Sequence, residues 1–475
     1  MKTGHLLILL ILSNAFNFRC SGGQAQFDSE LLVLEDVTLI DGSGAPPRQN
    51  TSIVIQGERI VEIGNKTKNG YPDKATVVNL AGRYVLPGFI DMHVHLAPDA
   101  EVQQQTLKTL LAFGITTIRN AGAMPGAGVK LREKVASGKV VGPRIFTAGM
   151  LIEFQSYTNR FSVGVKTEKE IRNEVRRQMN SGVDVIKLHS QLPPNLVKTA
   201  TEEAHIHGLK VIGHLKKTRW TEAARAGIDG IAHSGFDGLG WQVLPPDKQK
   251  ELLELKSQGS TDLFKNYREA LEHCAPYIDD LVSVLVENRV EVNPTLIKTE
   301  VAWWGNDLSL LEKLEPQYAP EANLSTWWWG NNWREGHPYF SKWSSVELAE
   351  LKAAFPRVLE IVRTFHQRGV LITAGTDVGN PWMTPGVSFH RELELLAKAG
   401  IPALEVLGIA TRNGAEALDL LVEIGTVEEG KIADLVILTA NPLDDIRNTR
   451  EIEAVIKAGR WFEPKSLIGQ AVPVQ

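Results

Sequence analysis

Short apolar segments alternate with helical patterns through the middle of this 475-residue chain, and this alternation limits the possible folds more than any other feature. Strands that are covered on both faces of a parallel sheet read as continuous runs of Val, Ile and Leu, as these segments do. Eight such strands, each followed by a helix, predict an α/β fold, namely a (β/α)8 TIM barrel. The segments are 85–95, 116–119, 144–148, 184–189, 210–214, 230–233, 290–296 and 369–377.

The two ends of the chain differ from this middle part. Residues 32–84 and 424–463 contain short β-rich runs separated by Gly- and Pro-rich turns, which predict strands. We therefore expect one small, β-sandwich-like domain built from both ends, with the barrel occupying residues 85–423 between them.

Two insertions interrupt the predicted barrel. Residues 238–275 are charged and have a helical pattern, whereas residues 302–345 contain seven of the eleven tryptophans. The second insertion follows the seventh strand, on the face where barrel enzymes have their active sites. It is interpreted either as a lid or substrate wall, or as a packing or oligomer contact.

The N-terminus has the pattern of a targeting segment. Lys2 precedes an apolar run at 6–12, and small and polar residues follow up to Ala25, which predicts a signal peptide at 1–25 and export to the periplasm or extracellular space. Lipid anchoring at Cys20 is less favoured, because Asn17-Phe18-Arg19 before it are not small. The apolar run is too short to span a bilayer, where about 20 residues are needed, and no later run reaches that length.

The charge and cysteine content of the chain indicate which binding partners and disulfides to expect. The net charge is −5 and the chain has no basic block, so neither nucleic acid nor an anionic membrane surface is expected as a partner. If Cys20 is removed with the signal peptide, Cys274 is the only thiol and no intrachain disulfide can form. We expect a small-molecule substrate and a homo-oligomer.

Six side chains with the chemistry of metal ligands end five of the predicted strands. In a barrel these strand ends converge on one mouth. A lone buried histidine is more often a satisfied core residue, but collecting all six unpaired in an apolar interior would cost several kcal/mol each. The set therefore predicts a metal centre. Its members are His93, His95, Lys187, His214, His233 and Asp377.

The charge of this set favours two metal ions and a modified lysine. Four neutral imidazoles and one carboxylate leave two divalent ions short of anionic ligands, and a lysine ammonium would be repelled. If Lys187 reacts with CO2, it becomes an anionic carbamate that can bridge ions roughly 3.5–4 Å apart. Nitrogen and oxygen ligands suit Zn²⁺ best, with manganese, cobalt or iron as alternatives.

Several motifs extend this pattern along the chain, and on them the sequence resembles the amidohydrolase superfamily from about residue 32 to 463. The resemblance is to the branch with a carboxylated lysine that includes imidazolonepropionase-like enzymes and metal-dependent Xaa-Pro and Xaa-Arg/Lys dipeptidases. The motifs are Leu86-Pro-Gly-Phe-Ile-Asp-Met-His-Val-His, Gly114-Ile-Thr-Thr-Ile-Arg, Gly142-Pro-Arg, Gly182-Val-Asp-Val-Ile-Lys, Gly375-Thr-Asp, His390-Arg-Glu-Leu-Glu-Leu-Leu and Gly425-Thr-Val-Glu-Glu-Gly-Lys-Ile-Ala-Asp-Leu-Val.

The resemblance implies a role for each predicted ligand. His93, His95 and Asp377 would hold the first ion, His214 and His233 the second, and Lys187 would bridge them. The Asp377 carboxylate would also take the proton of a bridging water and pass it to the leaving amine. The implied activity is that of an exported binuclear metal-dependent amidohydrolase, which cleaves a peptide or N-acyl amide bond by attack of a metal-bridged hydroxide.

The chain also departs from the dipeptidases of this branch. They often place a small residue and then a tyrosine after the fifth-strand histidine, where this chain has Leu215-Lys216-Lys217. Dipeptidase specificity is therefore left open. His189, two residues beyond Lys187, and Arg144, on the third strand, are candidate substrate contacts.

Two other functions remain as alternatives. One is a cyclic amide or lactam hydrolase of the imidazolonepropionase type, and the other is a non-catalytic exported binding protein on a degenerate barrel. Lys187 argues against deamination, since family members doing deamination usually use one metal and lack this lysine. About two equivalents of bound metal favour hydrolysis, and no metal favours a binding role.

Overall fold

The computed structural model describes residues 31–65, 71–155, 161–320, 337 and 343–468. The predicted signal peptide at 1–25, Cys20, and four of the seven tryptophans of the second insertion lie outside the described residues. In the part of the chain that is described, every helix is too short or too polar to span a bilayer.

Strands and helices alternate through the described chain, with additional strands at both ends. The strands are β1 (Leu31–Leu39), β2 (Arg48–Gln56), β3 (Arg59–Asn65), β4 (Thr76–Asn79), β5 (Tyr84–Pro87), β6 (Phe89–Val94), β7 (Ile115–Asn120), β8 (Arg144–Thr147), β9 (Leu151–Phe154), β10 (Ser162–Val165), β11 (Val185–Leu188), β12 (Lys210–Gly213), β13 (Gly230–Ala232), β14 (Glu291–Asn293), β15 (Leu435–Leu438), β16 (Ile452–Lys457) and β17 (Arg460–Phe462). The α-helices are α1 (Ala100–Ala112), α2 (Ala127–Ala136), α3 (Glu168–Asn180), α4 (Pro194–Ile206), α5 (Trp220–Arg225), α6 (Leu239–Gln242), α7 (Pro246–Ser257), α8 (Leu263–Glu272), α9 (Ala275–Glu287), α10 (Leu296–Trp303), α11 (Leu308–Lys313), α12 (Ser345–Gln367), α13 (Val387–Lys398), α14 (Ala403–Ala410), α15 (Arg412–Ala417) and α16 (Pro464–Ile468).

Strands from both ends of the described chain form one mixed sheet. The order is β17-β16-β15-β5-β1-β2-β3, and β4 pairs in addition with β1. The junction between the two ends is the antiparallel pair of β5 and β15, in which Pro87 lies opposite Leu435. The expected strands are present, but they pair in a single sheet, whereas two sheets packed face to face would define a sandwich.

The strands of the middle part pair in parallel and follow the chain order. One sheet contains β6, β7 and β8, and another runs through β11, β12, β13 and β14. Three isolated parallel bridges extend these pairings: Ala148 with Val185, Val292 with Ile372, and Val94 with Val378. The pairing order therefore runs from β6 to β14, on to residues 372–378, and from there back to β6. The short strands β9 and β10, which the sequence did not indicate, pair beside β11.

The predicted first barrel strand, 85–95, is divided at Gly88. Residues 84–87 belong to the mixed sheet as β5, and the parallel strand begins at Phe89. Gly88 packs so closely that an added Cβ would lie 2.1 Å from Thr116 Oγ1, and its N–H donates to Asp434 O at 2.7 Å. The boundary between the two sheets is therefore at residue 88, three residues later than the sequence indicated.

A buried ion pair connects four of the parallel strand segments. The Arg119 guanidinium on β7 donates to both carboxylate oxygens of Glu291 on β14, at 2.7 and 2.9 Å. Arg119 Nε also donates to Met92 O on β6, and Thr373 Oγ1 donates to Glu291 Oε1 at 2.5 Å. Both charged side chains are only 4% exposed, so each charge depends on the other for compensation.

The described parts of both insertions contain helices. Residues 239–272 form α6, α7 and α8, in agreement with the helical pattern expected there. In the second insertion, Trp303 ends α10 and is almost fully buried. Helix α12 begins after a capping box in which Ser344 Oγ accepts the Glu347 N–H and the Glu347 carboxylate accepts the Ser344 N–H.

Candidate active site

The six predicted metal ligands all line one cavity of about 620 Å³. Five of them lie in the last two residues of a parallel strand or just after it, and Asp377 lies in the segment that bridges to the strands on either side. The carboxyl ends of parallel strands lie at the same edge of a sheet. His93 lies within β6, and His95 just beyond it; their spacing of two places both imidazoles on one side of the strand. The structure therefore brings together the side chains that the sequence pattern singled out.

His93, His95 and Asp377 form the tightest group. Asp377 Oδ1 lies 3.3 Å from His95 Nε2 and 3.6 Å from His93 Nε2. One ligand atom from each residue can be chosen so that all three lie within 4.8 Å of one another, the arrangement that one metal ion requires. Burial alone would raise the pKa of Asp377, but the neighbouring His95 and positive charges hold it below its usual value, so the carboxylate is ionised.

His214 and His233 lie beside this group. The ring centroids are 4.9 Å apart for His93 and His233, and 4.3 Å apart for His214 and His233. His233 Nδ1 is 2.8 Å from Thr295 Oγ1, and His214 Nε2 is 3.2 Å from Asp237 O. Each bond holds one ring nitrogen and leaves the other for a metal ion, as is usual for histidine ligands.

The environment keeps three of the histidines, His93, His214 and His233, neutral, which is the form that binds metals. Burial lowers the pKa of His93 far below its usual value, and the positive charge of Lys187 lowers it further. Burial has the same effect on the pKa of His214 and His233.

Lys187 lies deep among these ligands and is 2% exposed. Burial lowers the pKa of its amine to about 7, although the negative charge of Asp377 acts in the opposite direction and raises it. Among the described residues, neither Lys187 Nζ nor the two ring nitrogens of His93 have a hydrogen-bond partner. Leaving such atoms buried and unpaired costs about 1–3 kcal/mol each. These unpaired buried nitrogen atoms, together with the nearby four imidazoles and one carboxylate as metal ligands, fit a bound metal centre.

Two of the predicted ligands have an unusual backbone conformation. His233 has φ +83° and Asp377 has φ +69°, values that non-glycine residues rarely adopt. Asp91 supports the turn at Asp377, because its carboxylate accepts the Thr376 N–H and hydroxyl and the His93 N–H. Strained backbone of this kind is concentrated at functional sites.

His189 also lines the cavity, as predicted for a candidate substrate contact. Its Nδ1 is 2.7 Å from Glu153 Oε2 on β9, and its ring is 5.1 Å from that of His214. Burial alone would raise the pKa of Glu153, but the bond to His189 lowers it, so the carboxylate is charged. Glu153 therefore fixes the orientation of the His189 ring.

Arg144 lies outside the cavity, contrary to the sequence prediction. It is the first residue of β8 and so is at the opposite end of the strand from the predicted ligands. Its guanidinium donates to Asp434 Oδ2 at 2.7 Å and to Thr117 Oγ1 at 3.1 Å. Arg144 joins the parallel strands to the segment that leads into β15, and we do not carry it forward as a substrate contact.

Other cavity residues were not found by sequence reasoning. Asp237 and Lys298 follow β13 and β14, and Lys298 Nζ donates to Asp237 Oδ2 at 2.7 Å. Burial alone would raise the pKa of Asp237, but Lys298 and Lys216 hold it well below its usual value. The sequence pattern that could have indicated Asp237 and Lys298 is their position shortly after the ends of predicted strands. Trp303 and Trp343 of the second insertion line the cavity as well.

Comparison with known proteins agrees with this arrangement. The model of the Amidohydrolase family matches residues 84–462. Ochratoxinase from Aspergillus niger is 21% identical over 504 aligned residues, covering 92% of this chain and 87% of that protein. A shorter match, to an adenine deaminase from Rubrobacter xylanophilus, is 31% identical over 85 residues, which are 18% of this chain and 14% of that protein.

A solved structure shares the fold. A Xaa-Pro dipeptidase, crystallised with methionine in its active site, superimposes with a TM-score of 0.66 at 21% identity, covering 91% of this chain and all of that chain. The family match spans the parallel strands, all six predicted ligands and the strands of the mixed sheet from β5 onward. The chain therefore belongs to the amidohydrolase family and is a hydrolase.

Proposed function

We propose that this hydrolase acts on carbon–nitrogen bonds as a binuclear metal-dependent amidohydrolase, cleaving a peptide or N-acyl amide. The observation that supports this best is the convergence of four imidazoles, a carboxylate and a lysine on one cavity, with buried donor atoms that have no partner among the described residues. Xaa-Pro dipeptides, the substrates named for the solved relative, contain an amide of this class.

The proposal assigns ligands to each ion. His93, His95 and Asp377 would hold one, and His214 and His233 the other. Lys187, as a carbamate, would bridge them, and the ions would be Zn²⁺ before other divalent metals, since the donors are nitrogen and oxygen. When bound, two such ions polarise a carbonyl and lower the pKa of a water molecule.

The protein's own groups account for the proton transfers and the orientation of the substrate. The ionised Asp377 carboxylate would take a proton from the attacking water and give it to the leaving nitrogen. Because its turn is held by Asp91, the carboxylate need not reorganise for this step. His189, whose ring Glu153 orients, would contact the substrate from the adjacent strand end.

We also propose that the parallel pairings form one closed (β/α)8 barrel, with the mixed sheet as a small composite domain at 32–84 and 424–463. Bridges that lead from β6 through β14 and residues 372–378 back to β6 support closure. The signal pattern at 1–25 supports export, and we propose a homo-oligomer. Cell fractionation and size-exclusion chromatography test these two proposals.

The decisive experiment is metal analysis of the purified protein and of Lys187→Ala. We expect about two equivalents of divalent metal in the wild type, and loss of metal and turnover in the variant, with partial recovery when short carboxylates such as formate are added. Lys217→Ala, an exposed lysine that is not among the described cavity residues, is the matched control. Full activity or unchanged metal content in Lys187→Ala would refute the proposed centre.

The substrate class requires a separate screen. Zinc-loaded protein would be tested on dipeptides, N-acyl amino acids and lactams. Hydrolysis of linear amides supports the proposal, and hydrolysis of lactams alone would favour the imidazolonepropionase type instead. A protein that binds no metal and cleaves nothing would point to the binding role.

A further inference from the structure

One wall of the cavity, apart from the six predicted ligands, carries more positive than negative charge. Lys216, Lys256 and Lys298 line it together with Asp237. Glu347 also lines the cavity, but its carboxylate is used to cap the first turn of α12. Asp237 is bonded to Lys298, so among the described residues this part of the lining has three ammonium groups and one carboxylate that is not used in a helix cap.

Lys216 is the lysine of this wall that lies nearest in sequence to a predicted ligand, two residues after His214. Its backbone N–H donates to Ser190 O at 3.1 Å, which holds the segment against the end of β11. The side chain is half-buried and lines the cavity. Its ammonium makes no hydrogen bond or ion pair with the described residues, in contrast to that of Lys298. The Asp237 carboxylate attracts the Lys216 ammonium but is already bonded to Lys298. A negatively charged group from a ligand would therefore complete the charge compensation of Lys216.

An apolar wall lies beside these charges. The rings of Phe236 and Phe264 are 5.6 Å apart, and those of Phe264 and Trp343 are 4.7 Å apart. Trp303 and Leu263 line the same cavity, and both are almost fully buried. The combination of an apolar surface with a small number of charged groups is typical of sites that bind a small organic anion.

We propose that Lys216, which lies beside the Lys298–Asp237 pair, binds a carboxylate of the substrate, while the aromatic wall receives a large apolar group. The substrate class is then an amide that bears both, such as an N-acyl amino acid with an apolar side chain. This inference rests on the proposed function, because the carboxylate would be held beside the bond that is cleaved.

The test is a binding measurement that does not depend on turnover. Isothermal titration calorimetry would compare 3-phenylpropanoate with its uncharged analogue 3-phenylpropanamide on the metal-loaded full chain. We expect the carboxylate to bind about 10- to 100-fold more tightly, as one hydrogen bond to a charged group implies. In Lys216→Met this preference should be lost, with affinity for the amide unchanged. Lys217→Met, the matched neighbour, should keep it.

A second variant tests the sign of the charge effect. Asp237→Asn removes the carboxylate that neutralises Lys298, so the affinity for 3-phenylpropanoate should rise, whereas loss of folding or metal would lower affinity for both probes. Metal content and the unfolding midpoint of every variant are measured alongside.

Two results would overturn the inference. Equal affinity of the wild type for both probes would exclude an anion subsite, and a preference that survives in Lys216→Met would mean that the metal ions hold the carboxylate. Wild-type protein that binds two metals and hydrolyses amides without the preference would refute the subsite alone. A Lys216-dependent preference in a protein that hydrolyses no amide would refute the proposed function alone.

Discussion

The Arg119–Glu291 ion pair allows a quantitative test of how the parallel strands are held together. In Glu291→Gln the shape is kept but the charge is lost, and the Arg119 guanidinium remains buried at 4% exposure without compensation. Removing one partner of a buried pair costs about 3–5 kcal/mol. The matched control is Glu423→Gln, whose partner Arg59 is 2.9 Å away at the surface with half of its side chain exposed. An exposed pair contributes about 0–1 kcal/mol.

The assay is urea unfolding followed by tryptophan fluorescence, on wild type and variants in the same metal state. With a slope of about 3 kcal/mol per molar urea, Glu291→Gln should lower the midpoint by roughly 1–1.7 M, and Glu423→Gln by less than about 0.3 M. The double variant Arg119→Met with Glu291→Met, which replaces both charges by apolar groups, should recover most of the loss. Equal shifts in the two single variants, or no recovery in the double variant, would refute the reasoning.

Three further predictions concern titration, helix capping and substrate contact. Burial lowers the pKa of His390 to about 3 in the folded protein, whereas the value in the unfolded chain is 6.5. Between these two pH values the unfolded chain binds a proton that the folded protein does not, so stability falls as the pH drops from 6.5 toward 3. His390→Gln should flatten the slope of unfolding free energy between about pH 4 and 6 by up to about 1.4 kcal/mol per pH unit, and an unchanged slope would contradict this assignment. Ser344→Ala should destabilise the protein by about 1 kcal/mol in urea unfolding, and Ser344→Thr, which keeps the capping hydroxyl, should cost much less. Glu153→Gln removes the charge that orients His189 and should lower kcat/KM about 10-fold with metal content unchanged, whereas loss of metal would instead place His189 in the metal centre.

Simple geometric rules explain why the sequence could predict that the six candidate ligands line one cavity. Residues that end parallel strands share one edge of the sheet, and a spacing of two along a strand places His93 and His95 on the same side. These rules need only the positions of residues along the chain and no knowledge of packing. The membership of the amidohydrolase family, expected from the motifs around these residues, is confirmed by the family match.

Other features depend on packing that the pattern of residues does not express. The apolar run at 85–95 is continuous, so only the contact of Gly88 with Thr116 shows where one sheet ends and the next begins. Arg144 was expected at the mouth because it belongs to a strand, but it is the strand's first residue and pairs with Asp434. Which end of a short strand a residue occupies depends on the exact strand bounds.

The contact between Lys298 and Asp237 in the cavity could not be predicted from the sequence either. Lys298 lies in α10 and Asp237 lies before α6, separated by 61 positions in sequence. A lysine on a helix and an aspartate in a turn are ordinary surface residues by composition alone. Their contact follows from the way that β13 and β14 lie side by side, which brings the segments after them together.

The antiparallel pair of β5 and β15 has a consequence for how the protein is made. These strands are almost 350 residues apart, and β5 pairs with β1 on one edge and with β15 on the other. On the ribosome, the β15-facing edge of β5 must therefore remain without its partner until almost 350 further residues have been synthesised. At 5–20 residues per second this delay is roughly 20–70 seconds, during which chaperones have access to an unpaired strand. Completion of the mixed sheet is thus a late event in the synthesis of these residues.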